Sequence, residues 1–218
     1  MFESTKIPDD WIDYLKAADE VWVPSKWNQQ VFDKAGIKTK LVPLGYDDSA
    51  YTFVERTPAK KTRRDFTFLH YNAFNIRKGF TEVWKAFTKE FEKTEPVKLI
   101  LKTDANHSPL PITRGEYPNV EIVFGKISEA EMHDIMKRSD CFVFPSRGEG
   151  FGMTPLETMA TGMAAIIPNA HGLTEYFNPD FMYEVKVKEE CPALYARYKD
   201  IDVGKMYISC LLYTSRCV

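Results

Sequence analysis

The feature that most constrains this chain is an alternation that begins at Phe66. Short apolar runs at 66–71, 97–102, 120–124, 141–144 and 164–168 recur, with amphipathic segments of helical length between most of them. Runs so short and so continuously apolar read as strands buried on both faces. Between them, Val83, Trp84, Phe87 and Phe91 fall on one face of a helix. Further on, Ser128 to Glu131 has the capping-box form, Ile127 and Met132 are spaced as a hydrophobic staple, and Ile135 and Met136 extend the same apolar face. Strands alternating with such helices predict an α/β fold, a doubly wound parallel sheet covered on both sides. Such sheets take ligands at the carboxyl ends of their strands, here the loops 72–78, 125–127 and 146–152.

The last of these loops carries three glycines, Gly148, Gly150 and Gly152, between an apolar run and a helix that Gly162 closes. Glycines leave backbone N–H groups uncovered where a helix begins, and the helix end is partially positive, so the turn suits a phosphate. Glu149 and Glu157 flank it, eight positions apart. A carboxylate does not bind phosphate, but it accepts hydrogen bonds from sugar hydroxyls, which a nucleotide sugar offers on both sides of its diphosphate. Glu157 has a competing role. Residues Thr154, Pro155, Leu156 and Glu157 match a capping box with proline at the first helical position, which would tie the carboxylate to the Thr154 N–H. The competing role of Glu149 is that of a solvated loop acid. Arg77 and Lys78 enter the N-terminus of the helix through Trp84, against its dipole unless an anion lies nearby. Their alternative is that of two solvated basic loop residues.

Upstream, 20–24 and 40–44 read as strands around a helix capped by Ser25, running through Trp27, Val31 and Phe32 and closed by Gly36. Two strands cannot bury a domain's surface, so this unit either joins the following sheet or lacks partner strands. The polar and basic stretch 45–64 reads as a solvated linker. Past 183–187 the pattern fades, and 208–218 shows neither helical nor strand period, which suggests a foreign or frame-shifted tail.

Composition excludes several classes. A net charge of −2 argues against nucleic acid as the main partner. No apolar run approaches the ~20 residues of a membrane span, and the first residues lack signal-peptide character. Cys141, Cys191, Cys210 and Cys217 show no metal spacing and read as reduced thiols in a cytoplasmic protein. His70, His107, His133 and His171 lie far apart; His133 reads as a surface residue and His171 as one able to face the pocket. The acidic pair around Ile201 (Asp200, Asp202) looks like a sugar-transferase metal motif but falls outside any strand-to-helix turn. The glycine turn is not a nucleophile elbow.

The turn from Ser146 to Glu157, with Glu149 and Glu157 in a Glu-x7-Glu pattern, resembles retaining glycosyltransferase family 4, the glycosyltransferases group 1. Lys78 with Gly79, and the segment from Val42 to Asp47, resemble the family's donor-domain Lys-Gly and interdomain crossing. The resemblance runs from about residue 21 to 207. It implies a GT-B fold, of which 49–207 is the nucleotide-sugar donor domain and 1–48 a remnant of the acceptor domain. It implies a retaining, metal-independent transfer from a nucleoside-diphosphate sugar to a glycan, lipid or protein acceptor, with no cofactor. It leaves room for peripheral membrane association through the missing domain, and it implies that the fragment alone is inactive. Carried over by position, Glu149 contacts the donor sugar, Glu157 the ribose, Lys78 the diphosphate, and the backbone near Ile127 the base. Arg77, Gly150, Phe151, Gly152, Met153 and Thr154 complete the donor-binding set. One departure stands out: the family's arginine five positions before the lysine is Ala73 here, with Arg77 as a substitute. A non-catalytic nucleotide-sugar-binding module and a GT-B epimerase are the competing functions.

Overall fold

A computed structural model describes residues 2–57, 59, 64–104, 115–193 and 202–210. His107, Asp200, Ile201, Cys217 and the run from 211 lie outside these residues. The strands are β1 (Trp22–Val23), β2 (Lys40–Leu41), β3 (Phe66–Tyr71), β4 (Val97–Thr103), β5 (Val120–Phe124), β6 (Cys141–Val143), β7 (Ala164–Pro168), β8 (Met182–Pro192) and β9 (Lys205–Cys210). The α-helices are α1 (Ile12–Lys16), α2 (Lys26–Lys34), α3 (Phe80–Glu90), α4 (Glu129–Lys137) and α5 (Met153–Ala160).

The main sheet runs β5-β4-β3-β6-β7-β8-β9. Every pairing is parallel except β8 with β9. The chain leaves β3 toward one edge and returns through β6 to the other side, so the strand order reverses between β3 and β6. That reversal opens the crevice where doubly wound sheets bind ligands. The expected fold class is the one observed.

Both faces of the central strands β3, β4, β6 and β7 are largely buried, which explains their continuous apolar runs, whereas the edge strand β5 has no buried residue. Because side chains alternate along a strand, Leu69, Ile100, Phe142 and Ala165 join one core with Met132, Ile135 and Met136 of α4. Phe68, Leu99, Leu101, Cys141 and Val143 join the other, with Phe80, Val83, Trp84 and Phe87 of α3. Each of these large side chains contributes roughly 1.5–3 kcal/mol when fully buried. Two of the local signals hold as read. The Ser128 side chain accepts from the Glu131 N–H while the Glu131 carboxylate accepts from Ser128 N–H, and the Ser25 hydroxyl accepts from Asn28 N–H.

The N-terminal unit does not join the main sheet. β1 and β2 pair with each other over a small core of Phe2, Ile7, Val23, Val31, Phe32, Ile37 and Val203. It docks on the carboxyl edge of the main sheet through Ser25 Oγ to Gly150 O (2.7 Å), Lys26 N to Glu175 Oε1 (2.6 Å) and Thr5 N to Lys205 O (3.1 Å). β9 runs on through residues 208–210, past the point where the sequence period fades, since backbone pairing with β8 needs no side-chain period.

The linker reading fails at two arginines. Arg56 donates to carbonyls of Met136 and Ser139 at the end of α4 and to Thr161 at the end of α5. Arg64 pairs with Asp140. Carbonyls at helix ends lack intrahelical partners, so one guanidinium ties two helix C-termini together.

Candidate functional site

The loops after β3 and β6 meet at the strand-order reversal. The β3 loop ends in a 3-10 turn, Ile76–Lys78, whose Asn75 side chain accepts from Lys78 N–H at 3.0 Å. Gly79 then starts α3 at φ +77°. A Cβ there would lie 2.6 Å from Pro145 Cγ and 2.9 Å from Pro145 O, so only glycine lets the two loops close on each other. Arg147 N donates to Arg77 O at 2.8 Å, and His70 Nδ1 lies 2.8 Å from Val143 O, tying β3 to β6.

Glu149 is the centre of this junction. Its residue is 4% exposed, and its Oε1 accepts from Lys78 Nζ (2.7 Å), Arg77 Nη1 (2.9 Å) and Ser146 Oγ (2.6 Å). Arg77 also donates to Gly148 O at 2.6 Å and pairs with Glu3 of the N-terminal unit at 3.0 Å. The Lys78 ammonium lies 5.1 Å from the Phe144 ring centroid. Burial lowers the Lys78 pKa, and Glu149 pulls it back up. Sequence asks which anion reconciles two cations with a helix N-terminus, and the structure answers with protein carboxylates. Glu149 is therefore not a solvated loop acid, and neither cation is a solvated loop residue.

Glu157 is not a helix cap. α5 begins at Met153 with Gly152 as N-cap at φ +83°, and no side chain caps it. Thr154 and Pro155 are its second and third residues, two positions further in than the capping-box reading requires. Instead the Tyr51 hydroxyl donates to the Glu157 carboxylate, whose pKa burial pushes up. Tyr51 is pushed up to about 12, burial first and the Glu157 charge second. A Cβ on Gly152 would lie 2.4 Å from Leu173 Cδ2, and one on Gly148 would lie 2.2 Å from Glu3 O. Two of the three glycines thus serve close packing of protein on protein. Gly150 gives its carbonyl to Ser25, and the Phe151 ring is buried against Tyr176 at 5.6 Å.

Beside this junction a cavity of about 440 Å³ opens over the carboxyl ends of β3, β4 and β5. Its volume falls in the ~300–1,000 Å³ range of small-molecule sites. Tyr71, Asn72 and Ala73 follow β3 into it, Lys102 and Asp104 come from β4, and Gly125, Ile127 and Ser128 from the loop before α4. Tyr51, His133 and Thr154 also line it, with Lys126 and Glu129 beside them. Of the residues expected to bind donor, Ile127 and Thr154 line this cavity, Glu157 adjoins it through Tyr51, and Arg77, Lys78 and Glu149 form the cluster next to it.

His133 is a cavity residue, edge-on to Tyr51 at 6.2 Å, rather than a free surface one. His171 does not line the cavity. It is buried at φ +49° between Trp27 and Tyr207, and burial lowers its pKa to about 4. Cys141 and Cys191 are free thiols, and Asp202 pairs with Lys6 at 3.0 Å. Among the described residues no group of three or more His, Cys, Asp or Glu is placed to hold a metal. Sequence reasoning missed Tyr51, Lys102 and Asp104. The available signal was a lysine closing an otherwise apolar strand run.

A doubly wound sheet with a small-molecule-sized cavity beside its reversal defines an α/β protein with a ligand crevice at the carboxyl edge of its sheet. The chain belongs to the family of glycosyl transferases group 1, whose model matches residues 53–190. It is 29% identical over 157 residues to putative glycosyltransferase 41 of Sulfolobus islandicus filamentous virus, covering 72% of this chain and 42% of that protein. A putative glycosyltransferase of Acidianus filamentous virus 1 is 32% identical over 163 residues, covering 71% of this chain and 47% of that one. The chain therefore spans less than half the length of these curated relatives. The fold is shared with sucrose-phosphate synthase from Thermosynechococcus elongatus (TM-score 0.63, 21% identity, 80% of this chain and 47% of that one). It is shared too with the pneumococcal O-GlcNAc transferase GtfA in complex with UDP and GlcNAc (TM-score 0.65, 14% identity, 83% of this chain and 36% of that one).

Proposed function

We propose that this chain is the donor-binding part of a retaining glycosyltransferase that moves a sugar from a nucleoside-diphosphate sugar to a glycan, lipid or protein acceptor without a metal ion. The observation that carries the reading is the cavity, which joins the ends of β3, β4 and β5 to Thr154 in the first turn of α5. In this reading the base sits by Ile127, and the ribose hydroxyls donate to Glu157, held by Tyr51. The diphosphate lies toward the first-turn amides of α5. The leaving group is a nucleoside diphosphate, so groups that meet its growing negative charge lower the barrier. Glu149 takes its three protein donors on Oε1, leaving Oε2 for a hydroxyl of the sugar. The acceptor side belongs to the remainder of a longer protein. Cytoplasmic location is part of the same reading, and among the described residues no helix is long and apolar enough to cross a membrane.

The pairing of both Arg77 and Lys78 with Glu149 favours one rival, a nucleotide-sugar-binding module without transfer. The two part on assay of the full-length gene product against a panel of nucleotide sugars. Transfer to an acceptor, with the anomeric configuration of the product retained by NMR, supports the enzyme. Saturable binding with no product under any donor and acceptor tried supports the module.

A further inference from the structure

The cavity contains a cation with no directly paired counter-charge, although the carboxylates of Asp104 and Glu129 share its wall. Lys102 is the sixth of the seven residues of β4 and is 6% exposed, with its stem buried among the strand's neighbours. Among the described residues its amine forms no hydrogen bond and no ion pair; it lies 5.8 Å from the Tyr71 ring centroid. Asp104, which also lines the cavity, acts on it only at longer range. Burial lowers its pKa, and the Asp104 charge offsets this in part. The other cation on the wall, Lys126, is exposed and therefore screened.

The stem of Lys102 is buried while its amine opens into the cavity, partly desolvated. An ammonium group held so without a hydrogen-bonding partner is unfavourable, and a fold carries that cost where a ligand offsets it. The cations that the sequence nominates for a phosphate are already engaged. Lys78 and Arg77 both hold Glu149, Arg77 also holds Glu3, and neither lines the cavity. Thr154, the second residue of the eight-residue α5, lines the same volume as Lys102, so the positive end of that helix and the free amine face one ligand. Ala73 contributes no charge there. We propose that Lys102 meets a phosphate oxygen of the bound nucleotide, supplying the charge that Arg77 and Lys78 do not supply while they hold Glu149. This rests on the donor reading above. A neutral base carbonyl is the weaker candidate, because a charge-assisted bond to an anion offsets the desolvation of the amine more fully.

The test is calorimetry on the 218-residue chain with UDP, GDP and ADP and with the matching nucleosides. For whichever diphosphate binds, Lys102→Met should weaken it by about tenfold or more and its nucleoside by less than about twofold. Lys102→Arg should restore most of the diphosphate affinity. If Lys102→Met does not fold, Lys102→Gln against Lys102→Arg makes the same comparison. Equal losses for diphosphate and nucleoside, or no loss, overturn the proposal and leave the donor reading standing. A wild-type chain that binds none of the three diphosphates overturns the donor reading, and this proposal with it.

Discussion

The junction around Glu149 and the cavity beside it are neighbours at the same sheet edge, yet their electrostatics are opposite. The junction is saturated: one carboxylate oxygen takes a lysine, an arginine and a serine hydroxyl, and a second carboxylate, Glu3, closes the other side of Arg77. The cavity is unsaturated, with an unpaired lysine and the first turn of a helix on its wall, and a half-buried carboxyl at Glu157, pushed above its ordinary pKa, adjoining it through Tyr51. Residues that satisfy one another hold a loop in place, whereas residues left unsatisfied by the protein are the ones a ligand can complete. The motif with the strongest sequence signature is thus the scaffold of the site as much as its chemistry.

That contrast can be broken at several points. The largest effect is expected at Glu149→Ala, which leaves the buried Lys78 unpaired and Arg77 with Glu3 alone. Denaturant unfolding should show a loss of about 3–5 kcal/mol, and a loss under about 1 kcal/mol would mean that solvent screens the junction. Next comes Gly79→Ala. It adds a Cβ against Pro145 at φ +77° and should cost about 2 kcal/mol from left-handed strain and crowding. Little change there would show that the loops do not depend on that close approach.

Lys102→Met should act in the opposite direction, raising the stability of the nucleotide-free chain by roughly 0.5 kcal/mol, because an unpaired, partly desolvated amine is replaced by an apolar side chain. A drop in its unfolding midpoint would mean that the amine is paired within the protein. The smallest effect is expected at Glu157→Gln. The wild-type carboxyl has its folded pKa above its unfolded one, so protonation favours the folded state and the wild type loses stability as pH rises through the raised value. The variant should be more stable by a few tenths of a kcal/mol at neutral pH. That advantage should vanish as pH falls below the ordinary glutamate range near ~4.3. An advantage that persists in acid would trace to packing rather than ionisation.

What was legible was local or periodic. The capping box on Ser128 and Glu131 spans three positions, so its partners are fixed by helix geometry. The helix face of Val83, Trp84 and Phe87 and the two-sided strands follow from periods of 3.6 and 2. The capping box ending at Glu157 had the same form and failed, because Gly152 starts α5 two residues before Thr154 and the motif no longer falls on the helix end. Arg56 was hidden for another reason, since its partners lie at Met136, Ser139 and Thr161 on two other elements.

The sequence by itself determined that this is a doubly wound α/β chain of the group 1 glycosyltransferase family and which loops gather at the ligand edge, because strand and helix periods and a glycine turn are short-range properties. Only the tertiary structure decided the charge balance there. It paired Glu149 with Arg77 and Lys78 across some seventy residues of chain, and it left Lys102 without an ion pair on a cavity wall. Pairing of charges depends on distances of a few ångströms between distant segments, and no period along the chain encodes them.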